Sequence, residues 1–473
     1  MTRSLARLTC LALLAPLAAG ITSAAAQDTT RVNEGVRIGV EYQPGLRPGL
    51  VVLPGPGLDS VRAIVRRDLD YSDRFEMVLP DAPSTSPSPG GSESGGVNYG
   101  IYKVLGAALG VELMEAGGSV TVRLHDLNAG QVRNQQSFTL PPATDPGYRL
   151  EVHRLADEVA RWATGTPGIA ATRVLLVSSG RIFQLDSDNE ALTALTPAGQ
   201  TALSPAWSPD GGRFAFTQLG AGRGPIVVQS LGSGAALQVP GTATALNITP
   251  AFSPDGRLVA YAHSDENGTD VYLANVADRC CAQRLTVGRF ADNLSPTFSP
   301  DGRRIAFVST RAGPPQVYVM AADGTDQELL APFDYGATGS SNAPEWSPDG
   351  ANVVFHREVA GSPQLFLVDV SGRRVRQLTS AGRNEDPTWG PDGRHITFVS
   401  DRSGIRQLTS AGRNEDPTWA PDGRHICFVS DRTGVRQLHV IDVETGRVRQ
   451  LKTPGAARLP AWSRRLSRTA VAP

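Results

Sequence analysis

The sequence predicts an all-β propeller of six complete blades and a stunted seventh from a tandem duplication, preceded by a small α+β domain. Three observations carry this reading. The phrase Pro-x-(Trp/Phe)-x-Pro-Asp-Gly recurs from Pro205, Pro250, Pro296, Pro344, Pro387 and Pro417, with a degenerate last copy at Pro460. Its spacing is 43 to 48 residues at every step but one, which is the period of propeller blades. The chain of 473 residues also holds 50 Gly and 35 Pro, a load that suits short strands and tight turns and is costly in long helices.

Residues 1–26 read as an export signal. Arg3 and Arg7 supply positive charge, Leu8 to Ala19 an apolar run, and Ala24-Ala25-Ala26 a cleavage site. The run is short for a membrane span and contains Pro16. Cys10 sits too early, after Arg7-Leu8-Thr9, to be the cysteine of a lipobox.

Residues 27–166 form the α+β domain. A buried strand is expected at 50–53, and a helix at 59–69 with Asp59 or Ser60 capping and Val61, Ile64, Val65 and Leu69 on one face. Further helices are expected at 98–109 and 149–163, and strands at 120–124 and 136–140. The Ser-, Pro- and Gly-rich stretch 80–96 reads as a flexible insert, and 164–168 as a linker.

The propeller spans 167–465, with a short tail at 466–473. After each Pro-Asp-Gly comes a second strand such as 304–309, a third such as 316–320 and a fourth such as 376–379. Residues 172–195 supply three strands that lack a first one, and Pro460-Ala461-Trp462 supplies it from the other end of the chain. Pairing the two ends closes the ring and removes its open sheet edges. The exceptional 30-residue step reflects near-identical segments at 375–404 and 405–434, which differ at Val375/Ile405, Gly390/Ala420, Thr397/Cys427 and Ser403/Thr433. The inserted unit runs into the next before completing its strands, hence a stunted blade.

A net charge of −1 excludes a general basic footprint for nucleic acid. Cys280, Cys281 and Cys427 offer neither a disulfide framework nor metal-ligand spacing; Cys427 reads as a core residue and the adjacent pair as surface thiols. The recurrent Asp of Pro-Asp-Gly is turn chemistry, since single carboxylates on separate blades cannot pool the oxygens calcium needs. His395 and His425 repeat because the duplication repeats them, and the other histidines are scattered. Gly91-Ser-Glu-Ser-Gly95 has Glu where a nucleophile elbow needs Ser. No catalytic, cofactor or metal site is expected.

Two features remain. Asn247, Asn293, Asn342, Asn384 and Asn414 each precede the motif proline by two or three residues. They either shape the turn or form a polar ring around the axial opening that receives a partner. The basic stretch Arg447, Arg449, Lys452, Arg458, Arg464, Arg465 and Arg468 is either a solvated tail or a contact for anionic envelope polymer.

With these residues in view, the chain resembles the TolB family of the Tol–Pal system. The repeats, the terminal Leu459-Pro-Ala-Trp-Ser463, the stretch Asp68-Leu-Asp-Tyr-Ser-Asp-Arg-Phe75 and the run from His153 to Val177 carry the resemblance. It implies a non-enzymatic, monomeric adaptor in the periplasm, peripheral to the outer membrane through its partners and supporting its constriction at division. The peptidoglycan-associated lipoprotein would bind the propeller loops at 246–249, 291–295, 341–343 and 384–386. The expected contacts are Asn247, Thr249, Asn293, Ser295, Asn342, Asn384 and Glu385. The N-terminal arm at about 28–42, with Val32, Val36, Ile38 and Val40, would bind TolA. The alternative is a secreted propeller enzyme or small-ligand sensor, which needs carboxylates or histidines converging in the axial channel.

Overall fold

The computed structural model describes residues 47–79 and 97–467, apart from 221–222, 241, 243–244, 278–280, 289, 334–337, 402–408 and 410. The export signal, Val32, Val36, Ile38 and Val40, the insert at 80–96, Cys280 and Arg468 therefore lie outside the described residues.

In the α+β domain, strands Gly49–Val52, Glu76–Met77, Leu109–Ala116, Ser119–Asp126 and Gln131–Thr139 make one five-stranded sheet. Gly49–Val52 pairs in parallel with both neighbours, and the remaining pairs are antiparallel. Helices α1 (Asp59–Tyr71) and α3 (Tyr148–Thr164) pack Val61, Ile64, Val65, Leu69, Val152, Leu155 and Val159 against the sheet's Leu50, Val111, Val122 and Leu124. Neither Asp59 nor Ser60 caps α1: Leu58 holds that position at φ 56° without a side-chain bond. Helix α2 (Tyr99–Val104) is shorter than its sequence suggests, because Gly106 at φ 88° turns the chain into the strand that begins at Leu109.

Among the described residues, the propeller comprises six four-stranded sheets and one two-stranded sheet. Blades 1 to 4 occupy 201–238, 246–284, 293–329 and 341–377, and blade 5 occupies 414–450. Blade 6 joins Arg173–Ser178, Arg181–Asp186 and Thr193–Ala194 to the terminal strand Ala457–Trp462, which pairs with the first of them in antiparallel fashion. The ring therefore closes across some 280 residues of chain, with Arg458 opposite Val177 and Trp462 opposite Val174. Among the described residues, the duplicated unit contributes Asn384–Trp389 and Ile396–Ser400, a two-stranded wedge between blades 4 and 5.

Period-2 alternation puts apolar residues on both faces of each blade, and adjoining faces interlock. Val259 and Tyr261 of blade 2 meet Ala215 and Ile226 of blade 1, and Val353 and Phe355 of blade 4 meet Ala306 and Val317 of blade 3. Cys427, buried as expected, packs with Val429, Leu438 and blade 6 residues Val174 and Leu176. The Pro-Asp-Gly turns close on themselves: in blades 2 to 4, Ser253, Ser299 and Ser347 donate to Asp255, Asp301 and Asp349, whose carboxylates also accept a backbone N–H. Those bonds hold the three carboxyls below the ordinary range.

Because both ends of the duplicated unit share one sequence, deleting residues 375–404 regenerates the fourth strand of blade 4 from 405–407 and leaves six regular blades. The variant is expected to unfold cooperatively within about 4 °C of the full chain, the shift of a ~1 kcal/mol change. A broad or strongly lowered thermal transition by circular dichroism would contradict this.

Candidate partner-binding rim of the propeller

Antiparallel connectivity sorts the loops onto two rims. Innermost strands begin and second strands end on one rim, which carries the asparagines. The Pro-Asp-Gly turns and the turns between third and fourth strands lie on the other.

On the asparagine rim, Asn247, Asn293 and Asn384 are fully buried. Their side chains staple loop to blade. Asn247 Nδ2 donates to Gly224 O, Thr242 O and Ala245 O, while its Oδ1 lies 2.7 Å from His263 Nδ1. Asn293 donates to Thr269 O and Asp270 and accepts from Arg311. Asn384 donates to Gln364 and Ala381 O and accepts from Ser400. Asn414 repeats the scheme with Gly412 O and Arg432. Asn342, partly exposed, lies 3.3 Å from Ser340 Oγ. The asparagines therefore shape the loops, and the surface ring imagined from sequence does not exist for the three buried ones.

What the staples present is a second repeated feature. The residue before each motif proline, namely Ser204, Thr249, Ser295, Ala343, Asp386, Asp416 and Leu459, has φ between 49° and 52°. Each sits at the register shift of its innermost strand. Seven non-glycine residues in the left-handed region, at one position of every unit, make a strained ring of bulges around the axis. Thr249 and Ser295 belong to this ring; Glu385 is half-buried and paired with Arg383.

Beside the ring stand apolar side chains in solvent. Phe290 is 87% exposed and Val287 76% exposed, on the loop leading into blade 3, and Leu246 is partly exposed at the start of blade 2. Phe290 itself has φ 61°, and its N–H donates to Asn267 O, so a fixed backbone holds the ring outward.

Between blade 4, the wedge and blade 5 opens a cavity of about 290 Å³ lined by Glu345, Asp386, Asp416, Thr388 and the motif prolines. Burial pushes Glu345 up to about 8 and also raises Asp386 and Asp416.

The other rim holds the α+β domain. His153 Nδ1 lies 2.8 Å from Asp68 and its Nε2 3.4 Å from Asp186; Arg149 reaches Asp186 and Asp188, and Arg67 reaches Asp188 and Glu190. Asp68, His153 and Asp188 stand close enough to share an ion, but the arginines already supply positive charge there. In a second cluster His425 lies between Asp422 and Asp73, and Arg447 and Arg449 also meet Asp73. Burial alone would lower both histidines; Asp68 and Asp186 instead raise His153 to about 10, and Asp422 and Asp73 raise His425. Lys452 bridges to Glu190, and Arg465 donates to Gly168 O and Pro167 O.

His153, one of the scattered histidines, and His425, a product of the duplication, are thus the centres of the domain junction. Arg447 and Arg449 clamp the two domains together through Asp73, while Lys452 pairs with Glu190 inside the propeller and Arg465 holds the linker. The signal was present in charge complementarity between Asp68-Leu-Asp-Tyr-Ser-Asp73 and the later arginines, which no local motif marks.

Among the described residues, the fold and junction define a closed β-propeller carrying an α+β domain on one rim and leaving the other uncovered. A family model described as the TolB beta propeller domain matches residues 161–334 and 333–411, and the chain belongs to that family. It is 31% identical over 240 residues to the Tol-Pal system protein TolB of Anaeromyxobacter dehalogenans, covering 49% of this chain and 54% of the relative. To that of Anaeromyxobacter sp. strain K it is 31% identical over 292 residues, covering 58% and 64%. The matches thus span about half to two thirds of those relatives' length. The crystal structure of TolB from Acinetobacter baumannii superposes with a TM-score of 0.60 at 20% identity, covering 89% of this chain and 98% of that one, a likeness of fold. Among the described residues no helix is long and apolar enough to cross a membrane.

The duplication supplies its own control for the junction. His395 lies 70% exposed beside Asp392, whereas its twin His425 is buried. In urea unfolding, His425→Ala should cost about 3 kcal/mol, and His395→Ala no more than ~0.5 kcal/mol; equal costs would discount the junction.

A pH series checks the other centre. The folded His153 binds its proton more tightly than the unfolded residue at 6.5. Its stabilisation is therefore complete below that pH and lost as pH rises toward about 10. Relative to His153→Gln, the wild type should lose stability over this window, and parallel curves would refute it.

Proposed function

We propose that this chain is a non-enzymatic periplasmic adaptor of the Tol–Pal system, which supports outer-membrane constriction during division. Its asparagine rim receives the peptidoglycan-associated lipoprotein, and its N-terminal arm at about 28–42 receives TolA. The observation that carries the reading is the division of the propeller's rims. One is occupied by the α+β domain through buried ion pairs, and the other is uncovered among the described residues and set with exposed Phe290 and Val287. Exposed aromatic side chains on a fixed backbone are the usual anchors of protein interfaces. Family membership supports the choice of partners. The contacts proposed are Thr249, Ser295, Asn342 and Glu385 with Phe290 and Val287, while Asn247, Asn293 and Asn384 hold the loops that present them.

The cavity lined by Glu345, Asp386 and Asp416 favours a second reading, a sensor for a small cationic ligand. One titration separates the two. Calorimetry with the soluble domain of the host's lipoprotein should give saturable one-to-one binding, weakened at least about tenfold by Phe290→Ser and unchanged by His395→Ala. Deleting residues 28–42 should abolish TolA binding and spare the lipoprotein. A folded chain that binds no lipoprotein would overturn the adaptor reading and leave the sensor.

A further inference from the structure

One buried carboxyl belongs to neither junction cluster. Asp157 stands on α3, 6% exposed, beside the chain that passes from the α+β domain into blade 6. Helix α3 ends at Gly165, which takes φ 84°, and the linker then returns to the helix. Asp157 Oδ1 accepts the N–H of Ala170 at 2.7 Å and Oδ2 that of Ala171 at 3.0 Å, while its carbonyl accepts from Gly168 N–H at 3.4 Å. A side chain at Gly168 would collide with Oδ1, so the linker lies directly over the carboxyl and seals it.

The same segment is tied from other elements. Arg465 donates to Pro167 O and Gly168 O, Leu466 N–H to Ala171 O and Ser187 Oγ to Ala170 O, and Arg74 reaches Thr164 and Thr166. Asp157 is the one carboxyl among these partners.

Burial favours its neutral form and outweighs the two N–H bonds, which favour the carboxylate, so Asp157 is raised to about 6. The surrounding charges are divided. Arg465 of the terminal segment favours ionisation and Asp68 of α1 opposes it. On α3, His153 one turn earlier is held by Asp68 and by Asp186 of blade 6, and Arg161 one turn later by Glu158. Asp186 is also paired with Arg149 and Arg173. The linker itself, 165–172, has no titratable side chain.

We propose that Asp157 is a proton-operated latch on the linker between the two domains. With its proton it keeps 168–171 closed over α3; without it a buried charge sits under that segment, which then opens to water more readily. Opening hydrates the carboxyl and returns it to the ordinary 3.8, so the closed state binds the proton more tightly than the open one. The latch is therefore fully set below 3.8 and is lost as pH rises through about 6. From about pH 5 to about pH 7 the opening equilibrium should rise about tenfold. Across this interval His153 stays protonated and Asp186 and Asp422 stay ionised, so their ion pairs do not release with the latch.

Hydrogen exchange on the full chain, read by mass spectrometry of peptides spanning the linker, tests this. After correction for the intrinsic rate at each pH, protection of the Ala170 and Ala171 amides should fall about tenfold from about pH 5 to about pH 7. Strand Arg304–Ser309 of blade 3 should be unchanged. Asp157→Asn, which cannot titrate, should level the linker profile. An equal fall in blade 3 would mean global loosening, and a fall kept by folded Asp157→Asn would assign the response to Asp68 and His153. Either result overturns the proposal, as does a flat wild-type profile. The wild-type comparison of linker with blade 3 decides the matter should the variant not fold, and no readout needs a partner.

Discussion

Everything in the propeller rests on one antiparallel pairing, between Ala457–Trp462 and Arg173–Ser178. Each blade is stable only because both of its faces are covered by neighbours, and in a linear array the first and last blades each lack one. The terminal strand removes that defect and ties the inner ring together: Trp207 Nε1–H donates to Ala461 O, Trp462 Nε1–H to Thr172 Oγ1, and Arg173 N–H to Ser463 Oγ. The entropic cost of joining ends so far apart grows only with the logarithm of the separation. The apolar faces gained on either side of blade 6, Leu175 and Val177 against Phe214 and Val174 and Leu176 against Val429, scale with area instead.

Closure was legible in the sequence because it leaves a local trace, a three-strand unit at one end and a Pro-Ala-Trp at the other. The blades were legible for the same reason: period, alternation and turn chemistry are properties of neighbouring residues. The candidate site was less so. The asparagines stood out, yet whether an amide faces solvent or a loop carbonyl depends on where the preceding loop runs. Phe290 carries no motif at all, and its exposure is set by a left-handed φ that sequence spacing does not encode. The junction was illegible in a different way. Asp73 meets His425 and Arg449 from more than three hundred residues away, and only opposite charge hinted that the segments belong together.

The duplicated unit separates sequence from context within a single chain. Asp392 and His395 make the same local bond as Asp422 and His425, so the turn itself is written in the residues. What differs is what stands beyond the turn. For His425 it is Asp73 of the α+β domain, which buries the imidazole and raises its affinity for a proton; for His395 it is water. The same contrast shows in burial, for Ile396–Ser400 is half-buried along its length and His425–Ser430 is buried throughout. Tertiary surroundings, rather than propensity, decide burial for identical residues.

The chemistry of the two rims is opposite in kind. Buried ion pairs such as His153 with Asp68 and Asp186, or Arg449 with Asp73, add little net stability over apolar packing of equal volume, because desolvation offsets most of their attraction. Misplacing one partner, however, strands a charge and is costly, so the clusters tolerate one orientation of the α+β domain on blades 5 and 6. The asparagine rim pairs buried Asp270 with Arg284 but is built mainly from amide staples and left-handed bulges that fix the backbone. A domain locked by charge on one side and a surface preorganised on the other is an arrangement in which a partner meets a finished surface, and binding need not first order the loops that receive it.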